Sequence, residues 1–159
     1  MIAEPTQLWQ QIGKTLWHVQ LAEFSLVNFY VAGRLDKDPQ QVDLDDLLER
    51  NFKSTVGVIV GNLRQAGMLN PAIDSQLANF VSERNWLAHH VRRLHNRDIY
   101  NQDRYVALLS RLDALKSESD AISVGVTHWM DGWAIAQGLT VEELEQETQA
   151  QLASLRGEA

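Results

Sequence analysis

Apolar residues recur at intervals of three and four along almost the whole chain, and this spacing limits the fold more than any other feature. In the first predicted helix, Thr6–Leu35, they are Trp9, Ile12, Leu16, Val19, Leu26, Val27 and Tyr30. This spacing follows the 3.6-residue turn of an α-helix, and the strict alternation of a half-buried β-strand is missing. The sequence therefore predicts an all-α fold, a bundle of four to five helices.

Capping and stop signals set the boundaries of the other predicted helices. Asp43 is a candidate N-cap, Gly67 a left-handed stop, Asn70 an N-cap before a proline, and Thr140 with Glu143 a capping box. The predicted segments are Leu44–Asn51, Ser54–Ala66, Pro71 to about Val91, a long helix through Tyr105 and Trp133, and Val141–Leu155. Whether the first two form one kinked helix or two stays open.

The composition limits the domain count and the chemistry. At 159 residues with 45% hydrophobic residues, the chain suits one helical-bundle domain over residues 1–159. It has no cysteine, which excludes disulfides, thiolate nucleophiles and cysteine-bound metal. No uncharged apolar run is long enough to span a bilayer. We therefore expect a cytoplasmic protein with no membrane partner.

Positive charge is concentrated in one part of an acidic chain. The formal net charge is −7, which argues against broad non-specific binding of nucleic acid. Between Glu83 and Arg104 the net charge is instead +2, because five arginines face three acids, and the remaining residues sum to −9. An anionic ligand is expected to bind in this segment.

Arg84 occupies a position that should be apolar. It completes the core-facing series of the predicted Pro71–Val91 helix between Val81 and Leu87, where a permanently charged guanidinium requires a carboxylate or an anionic ligand. On the first helix Glu23 is the only acid on the corresponding face, between Val19 and Leu26. We predict that Glu23 and Arg84 form an ion pair between packed helices.

A second, polar face of the same helix carries Asn85, His89 and Arg92 or Arg93. His89 lies about 140° around the helix from Arg84, at roughly 100° per residue, so the two cannot share a face. This second face should be exposed unless a ligand or another subunit covers it. Trp86 lies beside it, either stacking on a base or, as we favour, packing in the core.

The stretch Arg84-Asn85-Trp-Leu-Ala-His89 resembles the R-x4–6-H motif of HEPN (higher eukaryotes and prokaryotes nucleotide-binding) domains, in which a polar residue follows the arginine. HEPN domains are all-α and often homodimeric. The six-residue motif falls near the end of a core helix that is followed by a polar turn and another long helix, so the order of helices is also similar over most of the chain.

The resemblance implies a metal-independent endoribonuclease in which arginine and histidine from two subunits meet at the dimer interface. Arg84 and His89 would be catalytic, with Asn85 their orienting neighbour, and Arg92, Arg93 and Trp86 would bind RNA. The expected products carry 2′,3′-cyclic phosphate and 5′-hydroxyl ends. The expected partners are a second copy, RNA or a nucleotide, and a cognate antitoxin or other protein that restrains a toxin or defence component.

Other interpretations of the same residues stay open. One alternative is a non-catalytic HEPN-like module that binds nucleotide, RNA or protein, in which Arg84 and Glu23 form a purely structural pair and His89 is a hydrogen-bonded interface histidine. Metal sites built from His89, His90 and His95, or from His18 and His128, are disfavoured because neighbouring helical residues point about 100° apart and no ligand pair has suitable spacing. We expect neither a metal ion nor a cofactor.

Overall fold

The computed structural model describes residues 5–37 and 44–157, and over these residues the chain is helical and has no strands. The α-helices are α1 (Pro5–Lys37), α2 (Leu44–Phe52), α3 (Val56–Gln65), α4 (Pro71–His89), α5 (Val91–His95), α6 (Gln102–Ala136) and α7 (Val141–Leu155), with a 3₁₀ turn at Asp98–Tyr100. The all-α prediction is confirmed. The predicted number of four to five helices was too low, because the described residues form seven.

Local signals positioned three boundaries correctly. Asn70 Oδ1 accepts a hydrogen bond from the Ile73 amide at 2.9 Å and starts α4. Gly67 has φ +68° after α3, the left-handed conformation expected of the stop residue. The capping box of Thr140 and Glu143 opens α7. The proposed cap at Asp43 lies outside the described residues.

The predicted Pro71–Val91 helix ends earlier, at His89, and the short helix α5 lies between it and the 3₁₀ turn. His90, with φ −124°, takes the chain out of helical geometry. Beyond this break, Trp86 Nε1 donates to His95 Nε2 at 3.2 Å, and His95 Nδ1 donates to Asp98 Oδ2 at 2.6 Å. A continuous helix would separate residues 86 and 95 by about 13 Å along its axis, so this contact requires the break.

The two long helices, α1 and α6, lie side by side and run in the same direction. Pairs of contacting residues follow one another in the same order along both helices: Gln7 with Tyr105, His18 with Asp120, and Asp36 with Trp133. Helix α4 packs against both and runs the opposite way, since Asn79 contacts Glu118 and Glu83 contacts Arg111. The start of α6 and the start of α1 therefore lie at the same end of the bundle.

The core lies where α1, α3, α4 and α6 meet. Its most completely buried large side chains include Phe80, Leu26, Ile59, Leu63, Leu112 and Leu115. The predicted stripe of α1 was partly wrong, because Trp9 and Leu16 are exposed. Thr15 and Ala22 are buried instead, and Thr15 Oγ1 donates to the Leu112 carbonyl at 3.3 Å. The face of α1 that α6 covers is thus turned by about one residue from the predicted one.

Two tryptophans of α6 lie at the edge of the core. Trp129 is partly exposed and packs edge-on against Phe29, with ring centroids 4.5 Å apart. Trp133 donates from Nε1 to Asp36 Oδ1 at 3.0 Å.

None of the described helices has the length and apolarity needed to cross a membrane.

A charged cluster on the surface joins α1 to α6. Asp120 binds Lys116 Nζ at 2.9 Å through one oxygen and His18 Nδ1 through the other. The hydrogen bond from Lys116, followed by that from His18, lowers the pKa of Asp120 below its ordinary value of 3.8. The lowered pKa of the folded state stabilises the protein at pH values above the ordinary pKa. This contribution is lost as the pH falls through the lowered pKa.

We therefore expect Asp120→Asn to reduce the acid sensitivity of folding. The midpoint of urea unfolding should fall less between about pH 5 and pH 3 in this variant than in the wild type. The difference should be small because the carboxylate is 44% exposed. Asp131→Asn, at an exposed position of the same helix, is the control and should keep the wild-type slope. Equal slopes for the wild type and Asp120→Asn would contradict this assignment.

Candidate functional site

The predicted ion pair between α1 and α4 is present. Arg84 Nε donates to Glu23 Oε1 at 2.6 Å, and each side chain is 25% exposed. Neither charge is fully desolvated, so each retains an edge that water or a ligand can reach. The two anomalies in the apolar stripes of α1 and α4 therefore have one structural explanation.

Asn85 also contacts the guanidinium. Arg84 Nη1 donates to Asn85 Oδ1 at 3.3 Å, so Arg84 is held by Glu23 on one side and by its own neighbour on the other. Within the described residues Arg84 Nη2 has no hydrogen-bond partner. A guanidinium fixed in this way presents a free donor in a defined direction, which is what recognition of an oxyanion requires.

Arg84 and Glu23 line a pocket of about 220 Å³ between α1, α3 and the end of α2. Phe24 and Phe52 stack beside it with ring centroids 5.2 Å apart, and both rings are about half exposed. Asn51 also lines the pocket and is only 6% exposed. The site thus combines an ion pair, a buried amide and an aromatic edge.

Asn51 was not identified from the sequence as a site residue. Its Nδ2 donates to the Leu47 carbonyl at 2.7 Å, and its Oδ1 has no hydrogen-bond partner within the described residues. Nothing local marks this position, because Asn51 lies at the end of a short helix whose packing against α1 is set by contacts distant in sequence. Only the fold brings it near Arg84.

His89 lies apart from this pocket, in the last turn of α4, and its side chain is exposed. Its ring centroid is 6.3 Å from that of His90, and it makes no hydrogen bond within the described residues. As predicted, His89 shares a face of α4 with Asn85 and not with Arg84. One chain therefore does not bring Arg84 and His89 together around a common point.

The remaining predicted binding residues lie in different surroundings. Trp86 is 6% exposed, and the guanidinium carbon of Arg111 lies 3.8 Å from the centre of its ring, so the packing interpretation accounts for it. Arg92 lines a second hollow, at the start of α1. Arg93 is exposed and its Nη2 donates to His90 Nδ1 at 3.3 Å.

The charges around the site divide into paired and unpaired groups. Arg111 pairs with Glu83 at 2.7 Å, and Glu23 balances Arg84. Over the residues that the structure describes, Arg92, Arg97 and Arg104 form no ion pair. The unbalanced positive charge thus lies towards α5 and the start of α6, beyond His89. Any polyanion that reaches His89 would also meet these arginines.

Chemically, the arrangement offers a fixed cation and a separate titratable imidazole. In the described part of the chain, no group of three or more His, Asp or Glu side chains is placed to hold a metal ion. Comparison of the chain with protein-family models, curated proteins and solved structures found no match.

Proposed function

We propose that this protein is a metal-independent endoribonuclease of the HEPN type whose active site is completed by a second copy of the chain. The observation that supports this best is the environment of Arg84, which Glu23 and Asn85 hold while its Nη2 has no hydrogen-bond partner among the described residues. His89, exposed on the neighbouring face of the same helix, supplies the group that one chain cannot bring to Arg84.

The chemistry requires only these two groups and RNA. His89 accepts the proton of a 2′-hydroxyl, whose oxygen attacks the adjacent phosphorus. Arg84 stabilises the extra negative charge on the phosphorane. The bond from phosphorus to the 5′ oxygen then breaks, and His89 returns its proton to that oxygen. The products are a 2′,3′-cyclic phosphate and a 5′-hydroxyl, with no oxidant, reductant or metal consumed.

The surface of α4 is suited to the approach of a second copy. The exposed residues on the face that carries Asn85 and His89 are otherwise small, namely Ser75, Ala78 and Ser82. Small side chains allow two helices to approach closely, and a two-fold axis places the same surface of each copy against the other. In this arrangement His89 of one copy lies beside Asn85 of its partner, and that Asn85 contacts the guanidinium of Arg84.

A second candidate function is favoured by the short contact of 2.6 Å between Arg84 and Glu23. If the carboxylate holds the guanidinium permanently, phosphate cannot displace it, and the chain acts as a non-catalytic module. Its ligand would be a nucleotide, RNA or a protein, bound at the 220 Å³ pocket or along the positive edge. In either function, a partner such as an antitoxin would act by covering this surface.

The test is cleavage of a structured RNA by purified protein in EDTA, followed by analysis of the new ends. The proposal expects cleavage without metal and products with 2′,3′-cyclic phosphate. Cleavage that EDTA abolishes, or that leaves 3′-hydroxyl ends, would contradict it. A folded protein that binds RNA or nucleotide in the same buffer without cutting it would instead support the binding module.

A further inference from the structure

Helix α7 is amphipathic and has no residue buried against the rest of the chain. Its apolar stripe comprises Val141, Leu144, Leu152 and Leu155, with Leu155 84% exposed. Isolated helices of this length are marginal in water, and most of their stability in proteins comes from packing of the apolar face. The stripe therefore requires a surface that the described part of this chain does not provide.

The charged residues of α7 are all acidic and lie in its first half. They are Glu142, Glu143, Glu145 and Glu147. At about 100° per residue, Glu145 lies about 60° and Glu147 about 100° from the middle of the apolar stripe, on opposite sides of it, whereas Glu142 lies about 120° away, towards the far side of the helix. The surface that receives this helix should be apolar in the middle and positively charged at its edges.

The described residues do not fill the space between α7 and the helix that precedes it. A hollow of about 850 Å³ separates the end of α6 from α7, and Ile135, Leu144 and Thr148 are among the residues that line it. Ile135, which lines this hollow, and Leu139, which lies between α6 and α7, are nearly half exposed. Helix α7 thus stands away from α6 instead of packing along it.

A groove with the complementary properties lies at the opposite end of the bundle. It has a volume of about 440 Å³ and is lined mainly by Leu8, Trp9, Ile12, Val91, Ile99 and Leu108, with Arg92 at its side. Trp9 is 68% exposed. Exposed Arg93, Arg97 and Arg104 lie in the same region, where Asp103 is an exposed acid and Asp98 is buried against His95.

Helix α7 cannot reach this groove within one chain. Helix α6 has 35 residues and is about 52 Å long, with the groove near its start and α7 beyond its end. Helix α7 has 15 residues, so even folded back along α6 it covers only about 22 Å of that distance. The groove is available only to the α7 of another molecule.

We propose that α7 of one copy docks in the groove of a second copy, and that the partner's α7 docks reciprocally. A two-fold axis perpendicular to the long helices near their middle places the end of each α6 beside the start of the partner's α1. This axis differs from one through α4 at Arg84, because the neighbouring Glu83 contacts Arg111, the tenth of the 35 residues of α6. The inference is therefore separate from the pairing in the proposed function, and it is measured by association and not by cleavage.

The test uses charge exchange between two variants. One carries Glu145→Lys and Glu147→Lys on α7, and the other carries Arg92→Glu and Arg97→Glu at the groove. Each alone places like charges together and should weaken the dimer at least about tenfold, as measured by analytical ultracentrifugation. An equal mixture should restore the dimer, because each contact in the mixed pair again joins opposite charges.

The control variants Glu142→Lys, on the far side of α7, and Arg34→Glu, towards the other end of α1, should dimerise like the wild type. A monomeric wild type would overturn the inference. If the α7 variant associated as strongly as the wild type, the inference would also be overturned. RNA cleavage that persisted in that variant would support the proposed nuclease without the docking of α7. A mixture of the two variants that stays monomeric would also contradict the reciprocal docking of α7.

A second measurement does not depend on charge. Because the chain has no cysteine, single cysteines introduced as Leu155→Cys and Trp9→Cys report only on the contact between them. Mixed oxidised samples should give a disulfide-linked pair of the two variants. Leu155→Cys mixed with Val58→Cys, whose parent valine is 50% exposed on α3, is the matched control. Equal cross-linking in both mixtures would contradict docking at the groove.

Discussion

Replacement of His89 by alanine is expected to reduce the rate of RNA cleavage by about 10² to 10⁴-fold, the usual contribution of a general acid–base group. The loss should appear in the rate of the chemical step, measured under single-turnover conditions. Since the side chain is exposed and makes no hydrogen bond in the described residues, stability should change by no more than about 0.5 kcal/mol. A lower rate of RNA cleavage with an unchanged free energy of unfolding would show that His89 acts in the chemical step.

His90→Ala is the matched control for this prediction. His90 is also exposed and is adjacent in sequence, but it follows α4 and points away from the face of Asn85. It should retain most of the activity, with at most a small loss through Arg93, which it contacts. If both variants lost activity equally, or if His89→Ala cleaved at the wild-type rate, the assigned role of His89 would be wrong.

Removal of Glu23 should destabilise the fold more than removal of the whole ion pair. Glu23→Leu leaves the guanidinium of Arg84 beside an apolar side chain, and removing one partner of a buried pair typically costs about 3–5 kcal/mol. Because each side chain is 25% exposed, water compensates part of this, and we expect about 1–3 kcal/mol from urea unfolding.

The double variant Glu23→Leu/Arg84→Met removes both charges from the seam and should recover most of the lost stability. The comparison of Glu23→Leu, Arg84→Met and the double variant gives the coupling between the two residues. Strictly additive effects would show that the contact contributes nothing to the stability of the fold. Independently of stability, the proposed nuclease requires the double variant to be inactive.

Patterns local in sequence predicted much of the secondary structure and one tertiary contact. Asn70, Gly67 and Thr140 act through neighbouring backbone groups, so their roles can be read from a few adjacent residues. The contact of Glu23 with Arg84 was predictable because each charge interrupts an apolar stripe, and two such interruptions on packed helices require each other.

Features that depend on packing between distant segments were missed. The exposure of Trp9 and Leu16 follows from the register of α6 along α1, which no local pattern specifies. The break at His90 depends on the contact of Trp86 with His95, and the pocket at Arg84 depends on Asn51 at the end of α2. In each case the partner lies on another segment, and its position was unknown until the chain was folded.

The central claim is that Arg84 and His89 act together across two copies of the chain. The most direct measurement mixes two inactive variants, Arg84→Gln and His89→Ala, under conditions where subunits exchange, and follows RNA cleavage in EDTA. If each site takes its arginine from one copy and its histidine from the other, mixed dimers keep one intact site. Random pairing then restores about a quarter of the wild-type activity. Two folded, exchanging variants that stay inactive when mixed would contradict the shared site.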